Sequence, residues 1–221
     1  MKYRYEIKIP ISKFNENIFS KWMLSLKNLS VQNQSREINN IYYDTINFES
    51  AKNNLDGVSN RSKYRARWYV QNRNYSQCNL EIKIKKSKLN KKIIIPININ
   101  YKDILGKDLL DLVKDELQKN KINDRNLYIQ KFFPTVQNRY KRDYYEWEKI
   151  RLTYDTNVNY KNLRIRSLND WKKDNLNVLE VKFNENKLKE ASDLIAGMPF
   201  IPKRHSKYLR GLSHCKMAIY I

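Results

Sequence analysis

Glycine is scarce in this chain, cysteine and histidine are scarcer, and no hydrophobic run approaches the length of a membrane span. Cys78 and Cys215 lack any metal-ligand spacing, which excludes a disulfide scaffold and predicts two reduced thiols. His205 and His214 are the only histidines and neither sits in a ligand pattern, so both read as surface or packing residues and no histidine base is required. The longest apolar run, around Ile93 to Ile97, is interrupted by Pro96 and is too short to cross a bilayer, and MKYRYEIKIP has no apolar leader core. The expectation is a soluble cytoplasmic chain. No Gly/Ser linker, repeat or low-complexity block marks a boundary, which predicts a single domain over residues 1–221. Negative charge is the last shortage: 23 Asp and Glu face 44 Lys and Arg, leaving +21. That balance calls for a polyanionic partner, whether nucleic acid, a phosphate-rich small molecule or an acidic membrane surface.

What is present is one pattern written many times. With 41% hydrophobic residues a core can form. RSKYRARW, read as a strand, puts Arg61, Lys63, Arg65 and Arg67 on one face and Tyr64, Ala66 and Trp68 on the other. YRYEIKI, NLEIKIKK, IRLTYD, NLRIRS and VLEVKF alternate in the same way. Their charged faces carry Arg4, Glu6 and Lys8; Glu81, Lys83 and Lys85; Arg151 and Asp155; Arg164 and Arg166; Glu180 and Lys182. Helices are expected on Phe14, Ile18, Phe19, Trp22, Met23 and Leu26 behind a Ser12 cap, over about Asp103 to Gln118, and near Lys187 to Ala196 with Gly197 closing it. A last helix opens at Ser206 as N-cap, with Lys207 in its first turn.

A solvated sheet face would mix Thr, Ser, Gln, Lys and Glu. Here arginine and lysine dominate and single glutamates recur in a Glu-x-Lys frame. The arrangement that explains this is an α+β fold whose antiparallel barrel of about eight strands turns its charged faces inward, with helices over the apolar outside. Such cations need counter-charge. A polyphosphate or a nucleoside triphosphate supplies it, and the sparse carboxylates are left to hold a divalent metal bridging phosphate oxygens.

The ensemble resembles the triphosphate tunnel metalloenzyme superfamily, CYTH-like proteins included, and within it the VTC domain, a polyphosphate polymerase domain. The resemblance runs through RYEIK, IYYDT, KYRAR, LEIK, NRYKR with RLTYD, LEVK and RHSKYLRG. It implies that Lys8, Arg65, Arg67, Lys83, Arg139, Arg151, Arg204 and Lys207 grip a phosphate chain. Arg4, Lys63, Lys85, Arg142, Arg166, Lys182 and Ser206 lie on the same faces or segments as further substrate contacts. Glu180 is implied as the principal metal carboxylate, with Glu6 and Glu81 behind it, for Mn²⁺ or Mg²⁺. The segment NRYKRDYY leaves open which of Arg139 and Arg142 faces the anion. Hydrolytic branches open with Glu-x-Glu-x-Lys, whereas Arg4 stands at the first of those positions here, trading a metal ligand for a phosphate contact. Arg204 stands where the family usually has lysine. Asp44 and Asp155 read as structural carboxylates.

The resemblance implies transfer of the γ-phosphoryl of ATP to growing inorganic polyphosphate, with any membrane partner supplied by another chain. Two alternatives remain at this point: a triphosphatase or nucleotide hydrolase of the same fold, and a non-enzymatic module binding polyphosphate or RNA. Nucleic acid ranks lower, because single-strand binders stack bases on aromatics beside the cations, and Tyr64 and Trp68 lie opposite the arginines.

Overall fold

Period-two alternation becomes strand wherever one face can be buried, and most of this chain follows that rule. The computed structural model describes residues 4–71, 74–75, 78–86, 89–97, 107–122, 125–165 and 170–217. Ten strands form one sheet: β1 (Arg4–Ser12), β2 (Ser30–Asp44), β3 (Asn60–Gln71), β4 (Asn74–Tyr75), β5 (Cys78–Lys86), β6 (Leu89–Ile97), β7 (Phe133–Trp147), β8 (Ile150–Asn162), β9 (Lys172–Lys173) and β10 (Leu176–Asn184). The pairing order is β1-β10-β8-β7-β2-β3-β5-β6, with β4 on β3 and β9 on β8. β1 with β10, β10 with β8, β3 with β5 and β5 with β6 are all antiparallel. Among the described residues no pairing joins β1 to β6, so the expected barrel is an antiparallel sheet that is not strictly closed.

The chain divides into two compact units, each discontinuous in sequence. Unit 1 comprises residues 1–37, 140–159 and 173–206, and unit 2 comprises residues 38–139, 160–172 and 207–221. Of the five boundaries, four fall within β2, β7, β8 and β9 and the fifth at the start of the last helix, Lys207–His214, and a boundary inside a strand leaves no linker for a sequence to display.

In unit 1, Ile9 and Ile11 of β1, Leu152 and Tyr154 of β8, and Leu179, Val181 and Phe183 of β10 form one apolar face. Helix α1 (Glu16–Ser25) covers it with Phe19, Trp22 and Met23, and α5 (Leu188–Ala196) with Ala191 and Leu194. Phe14 and Ile18, expected on the buried stripe of α1, are exposed instead: Phe14 falls in a 3-10 turn, Lys13–Asn15, which rotates it out of helical register. Ser12 precedes that turn without a side-chain cap bond. Gly197 does close α5, but at φ −78°, so its role there is not the left-handed cap.

In unit 2, Tyr64, Ala66 and Trp68 of β3 join Leu80 and Ile82 of β5 and Ile95 and Ile97 of β6 in a second core. Leu109, Val113 and Leu117 of α3 (Leu109–Lys119) and Leu127 of α4 (Arg125–Ile129) cover it. The expected helix start near Asp103 lies outside the described residues.

Asp44 builds the local frame of unit 2. It is fully buried, and Oδ1 accepts the backbone amides of Thr45 and Ser50 (both 2.8 Å) while Oδ2 accepts that of Ala51 (3.0 Å) at the start of α2 (Glu49–Leu55). Oδ2 also accepts the Tyr208 hydroxyl at 2.6 Å, which ties this turn to α6 (Lys207–His214). Arg164 completes the frame by donating from Nη2 to the carbonyls of Asp44 and Thr45 and to Thr135 Oγ1. Residues 163–165 of NLRIRS are therefore not in the expected strand, and residues 166 and 167 lie outside the described residues. β8 ends at Asn162, whose Oδ1 accepts the amides of Arg164 (2.8 Å) and Ile165 (3.3 Å) and turns the chain out of the sheet. Among the described residues no helix is long and apolar enough to cross a membrane.

Candidate active site

Strand register fixes which side chains meet. In unit 1, Lys8 of β1 stands opposite Glu180 of β10, Glu6 opposite Lys182, and across the next ladder Lys182 opposite Arg151 and Glu180 opposite Thr153. All project from the side opposite the apolar core, as alternation requires. Glu180 is buried, and Lys182 Nζ lies 2.8 Å from Oε2, Arg142 Nη2 3.5 Å from Oε2 and Lys8 Nζ 3.5 Å from Oε1. Glu6 shares two of those cations, Lys8 at 3.3 Å and Lys182 at 3.5 Å. Lys8 Nζ also donates to the carbonyl of His205 at 3.3 Å.

Arg142 is held by Asp155, which is fully buried: Nε donates to Oδ1 at 2.5 Å and Nη2 to Oδ2 at 2.7 Å. Arg142, not Arg139, therefore joins Glu180. Arg139 is exposed and lies over the Trp171 ring, 4.3 Å from its centroid. Even-numbered positions of β7 turn one way and odd-numbered ones the other, so both arginines cannot share a face. Arg151 is exposed, 5.8 Å from the centroid of the Tyr144 ring.

In unit 2 the register sets Arg65 opposite Glu81, Arg61 opposite Lys85 and Lys63 opposite Lys83, which in turn faces Lys92 of β6. Three lysines thus stand side by side across three strands, an arrangement that repels itself. Glu81 is buried at their edge. Arg65 reaches its Oε2 through both Nε and Nη2 at 2.5 Å, Lys92 Nζ reaches Oε1 at 2.8 Å, and Arg67 Nη1 lies 3.6 Å from Oε1. Burial alone would raise the Glu81 carboxyl, but the Arg65 and Arg67 guanidinium groups and the Lys92 ammonium outweigh it and hold it at about 2. Arg67 is itself buried, and its Nε donates to Asn40 Oδ1 at 2.7 Å.

Other expected residues are placed more simply. Lys63 and Lys85 are half-buried on the unit 2 face, Ser206 in unit 1 is half-buried, and Lys207 in unit 2 is half-buried at the first position of α6. Arg204 is exposed. Arg4 opens β1 but its side chain lies outside the described residues, as does Arg166 entirely. Arg164 serves the Asp44 frame and is not on a site face. His214 stacks on Tyr160, 5.4 Å between centroids, a packing role. Burial pushes the Cys78 and Cys215 thiols up to about 11, so neither is a nucleophile near neutral pH.

Lys92, Asn40 and Asn138 had not been expected at the site. Lys92 had no periodic signal, since KKIIIP sets two adjacent lysines before three isoleucines. The two asparagines had none, because buried Asn39 and Asn40 are adjacent and break the period.

Among the described residues no group of three His, Cys, Asp or Glu is disposed to hold a metal. A hard divalent cation needs less than that when phosphate oxygens complete its shell, one or two carboxylates being enough. Glu180 and Glu6 fit this donor set, since both already share the same two ammonium groups. Glu81 also has both oxygens engaged, by Arg65, Arg67 and Lys92, but it lies in unit 2, whereas Glu6 and Glu180 share cations within unit 1.

Two solved structures with this fold cover nearly the whole chain. One is a candidate adenylate cyclase from Vibrio parahaemolyticus, at 13% identity and TM-score 0.51, covering 96% of this chain and 98% of its own. The other is a candidate adenylyl cyclase from Hippeastrum described as having a dominant triphosphatase activity, at 15% identity and TM-score 0.52, covering 96% of this chain and 97% of its own. At such identities the likeness is one of fold, the triphosphate tunnel fold. No curated protein matches the sequence. The VTC domain family model matches residues 3–216, so with its sheet, its paired Glu-x-Lys strands and its basic faces the chain belongs to the VTC domain family.

Proposed function

We propose that the protein is an ATP-dependent polyphosphate polymerase. The observation that carries this reading is the row Lys63, Lys83 and Lys92, in register across β3, β5 and β6 beside Arg65 and Arg67, with Glu81 the one carboxylate in that register. Glu81 pairs with Arg65 and Lys92, and β3, β5 and β6 contain no other carboxylate, so the face is net positive. A linear polyanion matches a linear row of cations spaced by the ~4.8 Å between strands.

Phosphoryl transfer asks mainly for positioning and for neutralisation of the equatorial oxygens, and a covalent residue is unnecessary. The terminal phosphate oxygen of the growing chain attacks the γ-phosphorus of ATP. One P–O bond forms, the bond to the β-bridging oxygen breaks, and ADP leaves with that oxygen. On the unit 1 face, Lys8, Lys182 and Arg142 orient phosphoryl oxygens, and Asp155 keeps the Arg142 fork in one plane. On the unit 2 face, Arg65, Arg67 and Lys83 bind phosphate units. Glu180 with Glu6 would hold Mn²⁺ or Mg²⁺, whose chemistry is charge neutralisation at phosphate oxygens.

The test is incubation with ATP and Mn²⁺ followed by separation of products by length. Chains of many phosphate units with stoichiometric ADP are expected. Free phosphate alone would make the protein a hydrolase of the same fold.

A further inference from the structure

Four side chains of the unit 1 face form a closed ring of alternating charge. Lys8 Nζ lies 3.3 Å from Glu6 Oε1 and 3.5 Å from Glu180 Oε1, while Lys182 Nζ lies 3.5 Å from Glu6 Oε2 and 2.8 Å from Glu180 Oε2. Each ammonium bridges both carboxylates, and each carboxylate oxygen meets one of the two ammoniums. Register produces the closure: Glu6 stands opposite Lys182 and Lys8 opposite Glu180, so the Glu-x-Lys frames of β1 and β10 meet head to tail. Arg142 Nη2 and Thr153 Oγ1 also approach Glu180 Oε2, both at 3.5 Å, and the His205 carbonyl accepts from Lys8 at 3.3 Å. Side-chain exposure in the ring runs from 8% at Glu180 to 31% at Glu6, so its pairs are only partly screened by water.

Two carboxylates against two ammoniums leave the ring itself neutral. A divalent cation at Glu6 and Glu180 needs the same oxygens that hold Lys8 and Lys182, and its charge repels both ammoniums at that distance. Once displaced, each ammonium lacks counter-charge. A terminal phosphoryl group carries about two negative charges at pH 7, which matches the two ammoniums, and the flexible lysine stem lets each one swing without backbone movement. We propose that Lys8 and Lys182 are exchangeable counter-ions: when Glu6 and Glu180 turn to a divalent metal, both ammoniums pass to phosphoryl oxygens, so that metal and phosphate enter the unit 1 face together. Either ligand alone meets a ring whose charges are already matched. The inference rests on the reading of Glu6 and Glu180 as the metal carboxylates, and by linkage the coupling is reciprocal.

The experiment titrates the full chain calorimetrically with Mn²⁺ alone, with metal-free inorganic tripolyphosphate, and with their premixed 1:1 complex, alongside thermal melts of every variant. Lys8→Met and Lys182→Met each open the ring on its cationic side and should bind Mn²⁺ alone about fivefold more tightly than wild type or better, within the usual span of coupling between sites. Either variant carries this arm if the other does not fold. Arg151→Met removes the same charge from the same face, where Arg151 stands opposite Lys182 and pairs with neither glutamate among the described residues, so it should change Mn²⁺ affinity much less. Glu6→Gln opens the ring on its anionic side and should bind metal-free tripolyphosphate more tightly than wild type, whereas Glu185→Gln, exposed in the turn after β10, should not. The premixed complex carries two fewer negative charges than tripolyphosphate, yet wild type should bind it more tightly. Unchanged Mn²⁺ affinity in the lysine variants overturns the exchange, as does a gain that Arg151→Met matches. Unchanged tripolyphosphate binding by Glu6→Gln overturns the handover to phosphate. If wild type does not prefer the complex and no variant binds Mn²⁺, it is the metal reading of Glu6 and Glu180 that fails, and the exchange fails with it.

Discussion

Glu81 is the residue whose environment makes the sharpest demand on pH. Its carboxyl is held at about 2 against an ordinary value of 4.5, so the folded state binds that proton less readily than the unfolded chain does. Stability from this group is complete above pH 4.5 and is lost as pH falls through the folded value near 2. A depression of this size corresponds to about 3 kcal/mol. Glu81→Gln should therefore be less stable than wild type at neutral pH, and the gap should narrow between pH 4.5 and 2, read by denaturant melts across that range. A constant gap would mean that the Arg65 and Lys92 contacts contribute nothing through charge. Glu180 makes a different demand, because three cations share it. Glu180→Gln leaves Lys8 and Lys182 short of counter-charge, so the ligand-free protein should melt lower, and adding tripolyphosphate, which restores anionic charge, should narrow the difference. Chain synthesis should be abolished while metal-free binding tightens. Synthesis at the wild-type rate under limiting Mn²⁺ would remove Glu180 from the metal site.

At the scale of elements, α6 is anchored by packing as well as by the Tyr208 to Asp44 bond. A methyl group added at Gly211 would sit 2.6 Å from Val136 Cγ1 and 3.0 Å from Tyr160 Cδ1, between β7 and β8. Gly211→Ala should cost about 1–3 kcal/mol by overpacking. Gly57 makes the contrast: nothing lies within 4 Å of the added atom, and only φ +72° opposes it, so Gly57→Ala should cost about 1 kcal/mol. Equal losses in the two variants would contradict the close approach of α6. The alternating strands β1, β3, β5, β10 and the start of β8 were legible because one face of each is apolar and pays the cost of ordering in a local, periodic way. The placement of Glu6, Glu81 and Glu180 on the charged faces, and most of the basic residues beside them, followed from that same period. Three features were not legible, each because a side chain overrides the pattern: NLRIRS alternates but is turned by Asn162, Arg142 is selected over Arg139 by Asp155 thirteen positions away, and the Asn40–Asn138 hydrogen bond depends on two strands meeting. A boundary between units that runs inside strands left no compositional trace.

At the scale of the whole molecule, +21 is a standing electrostatic cost in the absence of an anion. Any ligand that binds the folded state and supplies negative charge must then raise its stability, by about 2.7 kcal/mol at a concentration one hundred times Kd. For a chain of this length each kcal/mol is worth about 2–4 °C, so saturating tripolyphosphate should lift Tm by roughly 5–10 °C. The rise should shrink as salt is added, since the screening length falls from about 10 Å at 0.1 M to about 3 Å at 1 M. Inorganic monophosphate at the same total charge should do much less, because Lys63, Lys83 and Lys92 are spaced along a line and a single phosphate spans only one step of it. Chelation of divalent metal should leave the tripolyphosphate shift in place while stopping synthesis from ATP, separating the grip of the basic faces from the chemistry assigned to Glu180 and Glu6. A shift that monophosphate reproduces, or that is indifferent to salt, would mean that the charge is spread over the surface without a site, and the lysine row would lose its role.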